Sequence, residues 1–343
     1  MVQIPETEGV GEMIAKQTKR SSMNKIRKVE LVIVIVVFVC FLAIWLNSRN
    51  ADKFYDMDWW YYAGNHGVWP GANFGPPNGV NPGSLGEGHD LALIISRLLV
   101  QIGNFALPAF FISFFIGSGY FMLKKLVRFP EAIFVVTPFS LVLLIMDGAY
   151  FLFAQMLAMG FFFLAIGFYL RNPTTRDKKR WTYKYWTYND LGMSICLILM
   201  SASHSWSAFF YLCVFGIYLI AKDRWSLIYL VPAILLLAST APTGFLDFLT
   251  VRTSVGQNLS YLVNVQLTEN YILLPFLFYG AWRLVKSRIG LLFVVMVAAP
   301  LLTILFLWSP YWSYRVVTLI PINVFEAAGV SGLLEYIARR GGV

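Results

Sequence analysis

A chain of 343 residues with 58% hydrophobic and only 13% charged side chains is too apolar for an ordinary soluble domain, which carries about 25% charged residues. The net charge of +9 does not mark a nucleic-acid binder, because the Lys and Arg fall mostly in alternate loops between long apolar runs. Cys40, Cys196 and Cys213 all lie inside apolar runs, without the Cys/His spacing of a zinc site, so neither a disulfide nor a zinc scaffold is expected.

Residues 1–28 are polar and basic, with Lys16, Lys19, Arg20, Lys25, Arg27 and Lys28, and are expected on the cytoplasmic side. The apolar run from Val29 to Trp45 has no small-residue cleavage site after it and reads as a retained membrane anchor. It opens a single transmembrane domain, residues 29–338, closed by a cytoplasmic tail, 339–343. Residues 48–90 then form a long first external loop. Asp56 and Asp58 sit there beside Trp59, Trp60, Tyr61 and Tyr62, and a Gly/Pro-rich stretch follows. Loops of this length are usually functional or disordered, and the aromatics argue for a folded one.

Asp90 to Gly103 places Arg97 and Gln101 on one helical face, which suits a helix lying at the membrane interface. Phe105–Leu123 is the second expected span and ends in Lys124, Lys125 and Arg128, a cytoplasmic signature. Phe134–Ile145 returns outward to a turn at Asp147, and Leu152–Leu170 comes back to the strongest inside signal, Arg176 to Lys184. Leu191–Ala202 and Ala208–Ile220 flank an external turn at Ser203-His204-Ser-Trp-Ser. Leu227–Ala238 goes out, Thr240–Asn270 is external, and Tyr271–Trp282 returns to Arg283, Lys286 and Arg288. Ile289–Leu307 and Val316–Ile337 complete the chain. The expectation is an all-α polytopic membrane protein of about ten transmembrane helices with both termini cytoplasmic, integral to a cell membrane or an ER-type membrane.

On the external side the chemistry-bearing residues are Asp56, Asp58, Asp147, His204 and Arg315. A paired Asp56-Met-Asp58 suits either a proton acceptor or a divalent ion such as Mg²⁺ or Mn²⁺, against the plain reading of an acidic surface loop. Asp147 equally suits a helix cap, His204 an interfacial histidine, and Arg315 a side chain snorkelling to headgroups. Tyr311, Trp312 and Tyr314 beside Arg315 already make an interfacial belt.

Taken together, these positions resemble the C-type glycosyltransferase superfamily (GT-C fold), multi-span enzymes that use polyprenyl-phosphate sugars. Tyr55-Asp56-Met-Asp58-Trp-Trp-Tyr-Tyr resembles the acidic site after the family's first span. Asp147-Gly-Ala-Tyr through Gln155 is similar to its second external turn, Ser203-His204-Ser-Trp206-Ser to a middle turn, and Tyr314-Arg315 through Pro321 to its late span. The chain carries no W-W-D-Y-G motif of the oligosaccharyltransferases, so a protein-glycosylating member of that kind is not expected. The resemblance implies an inverting transfer of a sugar to an acceptor hydroxyl on a glycan, lipid or protein. Asp56 or Asp58 would be the base. Arg315 and His204 would bind the donor phosphate, with Asp147, Trp59, Tyr61 and Tyr62 in support. The competing readings are a membrane transporter, which would want ionisable groups deep in its spans as only Glu326 offers, and a non-catalytic scaffold subunit.

Overall fold

The computed structural model describes residues 90–100, 106–146, 153–171, 187–240, 271–306 and 319–340. Among the described residues every regular element is helical and none is a strand. In chain order the α-helices are α1 (Asp90–Val100), α2 (Ala106–Leu123), α3 (Ala132–Met146), α4 (Phe153–Arg171), α5 (Tyr188–Ser203), α6 (Ser205–Lys222), α7 (Val231–Thr240), α8 (Leu274–Val285), α9 (Gly290–Phe306) and α10 (Ile322–Arg340). Each expected span from the second onward has a helix on it, and α1 lies on the expected interfacial segment. The anchor at 29–45 falls outside the described residues.

Two of these helices, over Ala154–Arg171 in α4 and Ser205–Lys222 in α6, are long and apolar enough to cross a membrane. Eighteen residues at about 1.5 Å each give roughly 27 Å, close to the ~30 Å hydrocarbon core. The faces the helices leave open are also apolar, with Ile220, Leu235 and Phe278 all more than 60% exposed.

Helix boundaries depart from the apolar runs where local chemistry moves them. α5 starts at Tyr188 because Thr187 and Asp190 form a capping box. The Asp190 N–H donates to Thr187 Oγ1 at 3.2 Å and the Thr187 N–H donates to Asp190 Oδ2 at 3.0 Å. The expected span at Leu227–Ala238 is divided: Arg224–Leu230 is a 3-10 segment, and the α-helix begins at Val231 with Pro232 in its first turn. α10 runs on through Arg339 and Arg340, beyond the expected start of the tail, and basic residues in a last turn complement the helix dipole.

The core is built on close aromatic packing. Phe162 of α4 stacks on the fully buried Tyr211 of α6, with ring centroids 4.5 Å apart, and meets Phe215 edge-on. α8 and α10 approach each other backbone to backbone. A Cβ on Gly280 would collide with the Phe325 carbonyl oxygen, and one on Gly329 with the Phe276 carbonyl oxygen. The two backbones therefore touch directly, which only glycine at both positions allows.

Hydrogen bonds tie the basic ends of the helices together. Arg171, at the end of α4, donates to the Phe121 carbonyl of α2 at 2.9 Å and lies over the Phe121 ring. Arg288, just before α9, donates to the Leu170 carbonyl of α4 at 2.6 Å. Arg283 of α8 pairs with Glu335 of α10 at 2.8 Å and donates to the Ala328 carbonyl. The Arg128 N–H, ahead of α3, reaches the same Glu335 at 3.1 Å. Arg171 and Arg288 meet carbonyls that a helix end leaves without an intrahelical donor, and Arg283 meets a carboxylate and a carbonyl within α10. Apart from Arg97 in α1, the Lys and Arg of the described residues lie at or next to these ends.

Candidate functional site

Most of the expected site lies outside the described residues: Asp56, Asp58, Trp59, Tyr61 and Tyr62 of the first loop, Asp147 after α3, and Arg315 before α10. His204 is described, and its geometry is specific. It is the single residue between α5 and α6, extended at φ −163° and ψ 106°, and it serves as the C-cap of one helix and the N-cap of the next. Its backbone N–H donates to the Met200 carbonyl at 3.4 Å. Its ring Nδ1 accepts the Ser207 N–H at 3.0 Å, and the Ser207 hydroxyl lies 2.9 Å from the same nitrogen.

That capping bond has a chemical consequence. A ring nitrogen that accepts a backbone N–H carries no proton, so the neutral imidazole is protonated at Nε2. His204 is only 5% exposed, so both its position and its tautomer are held by the turn. Nδ1 therefore belongs to the cap, and the proton of the neutral ring sits on Nε2.

The turn is lined with small polar groups. Ser201, Ser203, Ser205 and Ser207 are all buried, and Ser203 donates to the Leu199 carbonyl at 2.6 Å. This is the end of α5 and α6 opposite the basic residues of Lys222 and Arg224. The approach to α10 is joined to the same helix pair, because the buried Tyr211 hydroxyl donates to the Leu319 carbonyl at 3.0 Å. Gln155, near the start of α4, is buried as well.

Two features fall outside the residues expected for sugar transfer. Arg171, Arg283 and Arg288 stand in the sequence only as markers of sidedness, yet each has a defined acceptor. Glu326 is fully buried in α10, and neither carboxylate oxygen has a hydrogen-bond partner among the described residues. A lone acid within an apolar run was the signal for it; its neighbour Ser140 on α3 carried none, since hydroxyls are common in helices. No group of three or more His, Cys, Asp or Glu that could hold a metal ion occurs among the described residues.

Compared with protein-family models, with curated proteins and with solved structures, the chain matches none of them.

Proposed function

We propose that the protein is an integral membrane glycosyltransferase of the C-type kind, moving a sugar from a polyprenyl-phosphate donor to an acceptor hydroxyl on the external face. Its fold would comprise about ten spans with both termini cytoplasmic. Asp56 or Asp58 takes the proton of the acceptor hydroxyl as its oxygen attacks the anomeric carbon. The bond from that carbon to the phosphate oxygen breaks, the configuration inverts, and Arg315 stabilises the departing polyprenyl phosphate through charge-assisted hydrogen bonds. His204 offers Nε2–H to the phosphate, and Trp59, Tyr61 and Tyr62 present flat apolar faces to sugar rings.

The observation that carries this reading is sidedness. The basic residues gather at helix ends that Arg171, Arg283 and Arg288 tie together, while the His204 turn lies at the other end of α5 and α6. A site on the external face needs that separation. The test is a cell-free assay with membranes containing the protein and a panel of radiolabelled polyprenyl-phosphate sugars with candidate acceptors. Transfer that disappears in Asp56→Asn or in Asp58→Asn supports the proposal. Absence of transfer from every donor, in membranes where a control glycosyltransferase works, removes it.

The transporter reading is favoured by one observation, the buried Glu326. Substrate uptake into vesicles that depends on Glu326, with no sugar transfer, would put that reading first.

A further inference from the structure

Glu326 is the one acidic side chain of the described residues that is fully buried, and both its oxygens lack a hydrogen-bond partner among them. An isolated carboxylate in such a place is costly unless something compensates it. The helix against which it packs is oxygen-rich at this level. The Ser140 hydroxyl of α3 is its polar neighbour. Thr137 lies one turn away on the same face of α3, fully buried, with its hydroxyl also unpartnered. Between them Pro138 has no N–H for the Phe134 carbonyl, so a backbone oxygen is released from the ladder as well. On α10 the amide nitrogen of Asn323, one turn from Glu326, is likewise buried without a partner. The two helices are held in register at the basic end, where the Phe129 N–H donates to Ser331 Oγ at 3.1 Å. Glu326 sits about 8 Å along α10 from that anchor, at 1.5 Å per residue.

We infer that Glu326, with the hydroxyls of Thr137 and Ser140, binds a dehydrated alkali-metal cation between α3 and α10. The donor set is hard oxygen, which excludes a thiolate or imidazole site of zinc type. It holds a single formal negative charge, so a monovalent ion neutralises it. A divalent ion would leave a positive charge buried without a counterion. None of these residues belongs to the proposed glycosyltransferase set, so failure of the cation site would leave that reading untouched.

The test uses the full chain in detergent at pH 8 and constant ionic strength, with sodium chloride replaced stepwise by choline chloride. Thermal unfolding is followed by tryptophan fluorescence. A ligand that binds only the folded state raises the melting temperature with its concentration, by about 5 °C at ~100-fold above its Kd for a chain of this size. Sodium is expected to do this in the wild-type protein, and Glu326→Gln to abolish the dependence. Thr137→Val, which keeps the shape and removes one oxygen, is expected to move the sodium midpoint upward about tenfold, and serves if Glu326→Gln does not fold. Equal melting in sodium and choline overturns the inference. So does a sodium response that survives Glu326→Gln, or a midpoint unmoved by Thr137→Val.

Discussion

The contact between α8 and α10 lends itself to a prediction of sign as well as size. A Cβ on Gly280 would press on the Phe325 carbonyl oxygen and the Gly329 nitrogen, the acceptor and donor of one helical hydrogen bond in α10. Gly329 stands in the reciprocal position against the Phe276 carbonyl of α8. Backbone cannot rotate away as a side chain would, so Gly280→Ala must separate the helices. That places it at the upper end of the overpacking range, about 3 kcal/mol. Alanine returns about 1 kcal/mol through helix propensity, leaving a net loss of about 2 kcal/mol. At roughly 2 °C per kcal/mol for a large chain, the melting temperature falls by about 4 °C. Gly117 of α2 is the control, because a Cβ there meets no heavy atom within 4 Å. Gly117→Ala is expected to stabilise by about 1 kcal/mol, so the same chemical change has opposite signs at the two sites. The double variant Gly280→Ala with Gly329→Ala should lose less than the sum of the two single losses, by about 1 kcal/mol or more, since one separation relieves both clashes. The assay is thermal unfolding in detergent followed by tryptophan fluorescence, to which Trp282 of α8 contributes. Gly280→Ala melting at or above the wild type would refute the direct backbone contact.

Asp56→Asn or Asp58→Asn is expected to lower sugar transfer by about 10²–10⁴-fold with expression unchanged, and near-normal turnover in both variants removes the pair from the mechanism. Arg315→Lys keeps the charge but loses the two parallel donors of the guanidinium, so turnover or donor affinity should fall about tenfold; equal activity in the transfer assay would assign Arg315 to headgroup anchoring. His204→Asn retains a good helix cap while removing the imidazole, whereas His204→Ala also loses about 1 kcal/mol of capping. If Nε2 binds the donor phosphate, both variants lose transfer and only His204→Ala melts lower; full activity in His204→Asn would leave the residue a cap alone. Single cysteines placed between Arg176 and Lys184 should react with an impermeant thiol reagent only after the membrane is opened from the cytoplasmic side, and labelling from outside would invert the topology and displace the proposed site with it.

What was legible in the sequence is what depends on neighbours along the chain. Apolar runs between basic clusters placed the helices from α2 to α10, because a helix satisfies its own backbone and needs only length and composition to be recognised. The turn at Ser203-His204-Ser-Trp-Ser was legible as a turn for the same reason. Its exact form was not: the ring of His204 spends Nδ1 on the Ser207 N–H, a choice between two nitrogens that depends on three-dimensional geometry. The capping box at Thr187 and Asp190 was present in the letters and moved α5 three residues ahead of its apolar run. The division before α7 was signalled by Pro232 but hidden by continuous hydrophobicity. Which helices touch was decided only in the folded bundle. Gly280 and Gly329 are separated by 48 intervening residues, and nothing local to either tells that each faces the other's backbone. The same holds for Arg171 reaching Phe121, and for Glu326 lying against Ser140. Side-chain partners between distant helices follow from rotation and depth of packing, which sequence periodicity leaves free when a helix is apolar on every face.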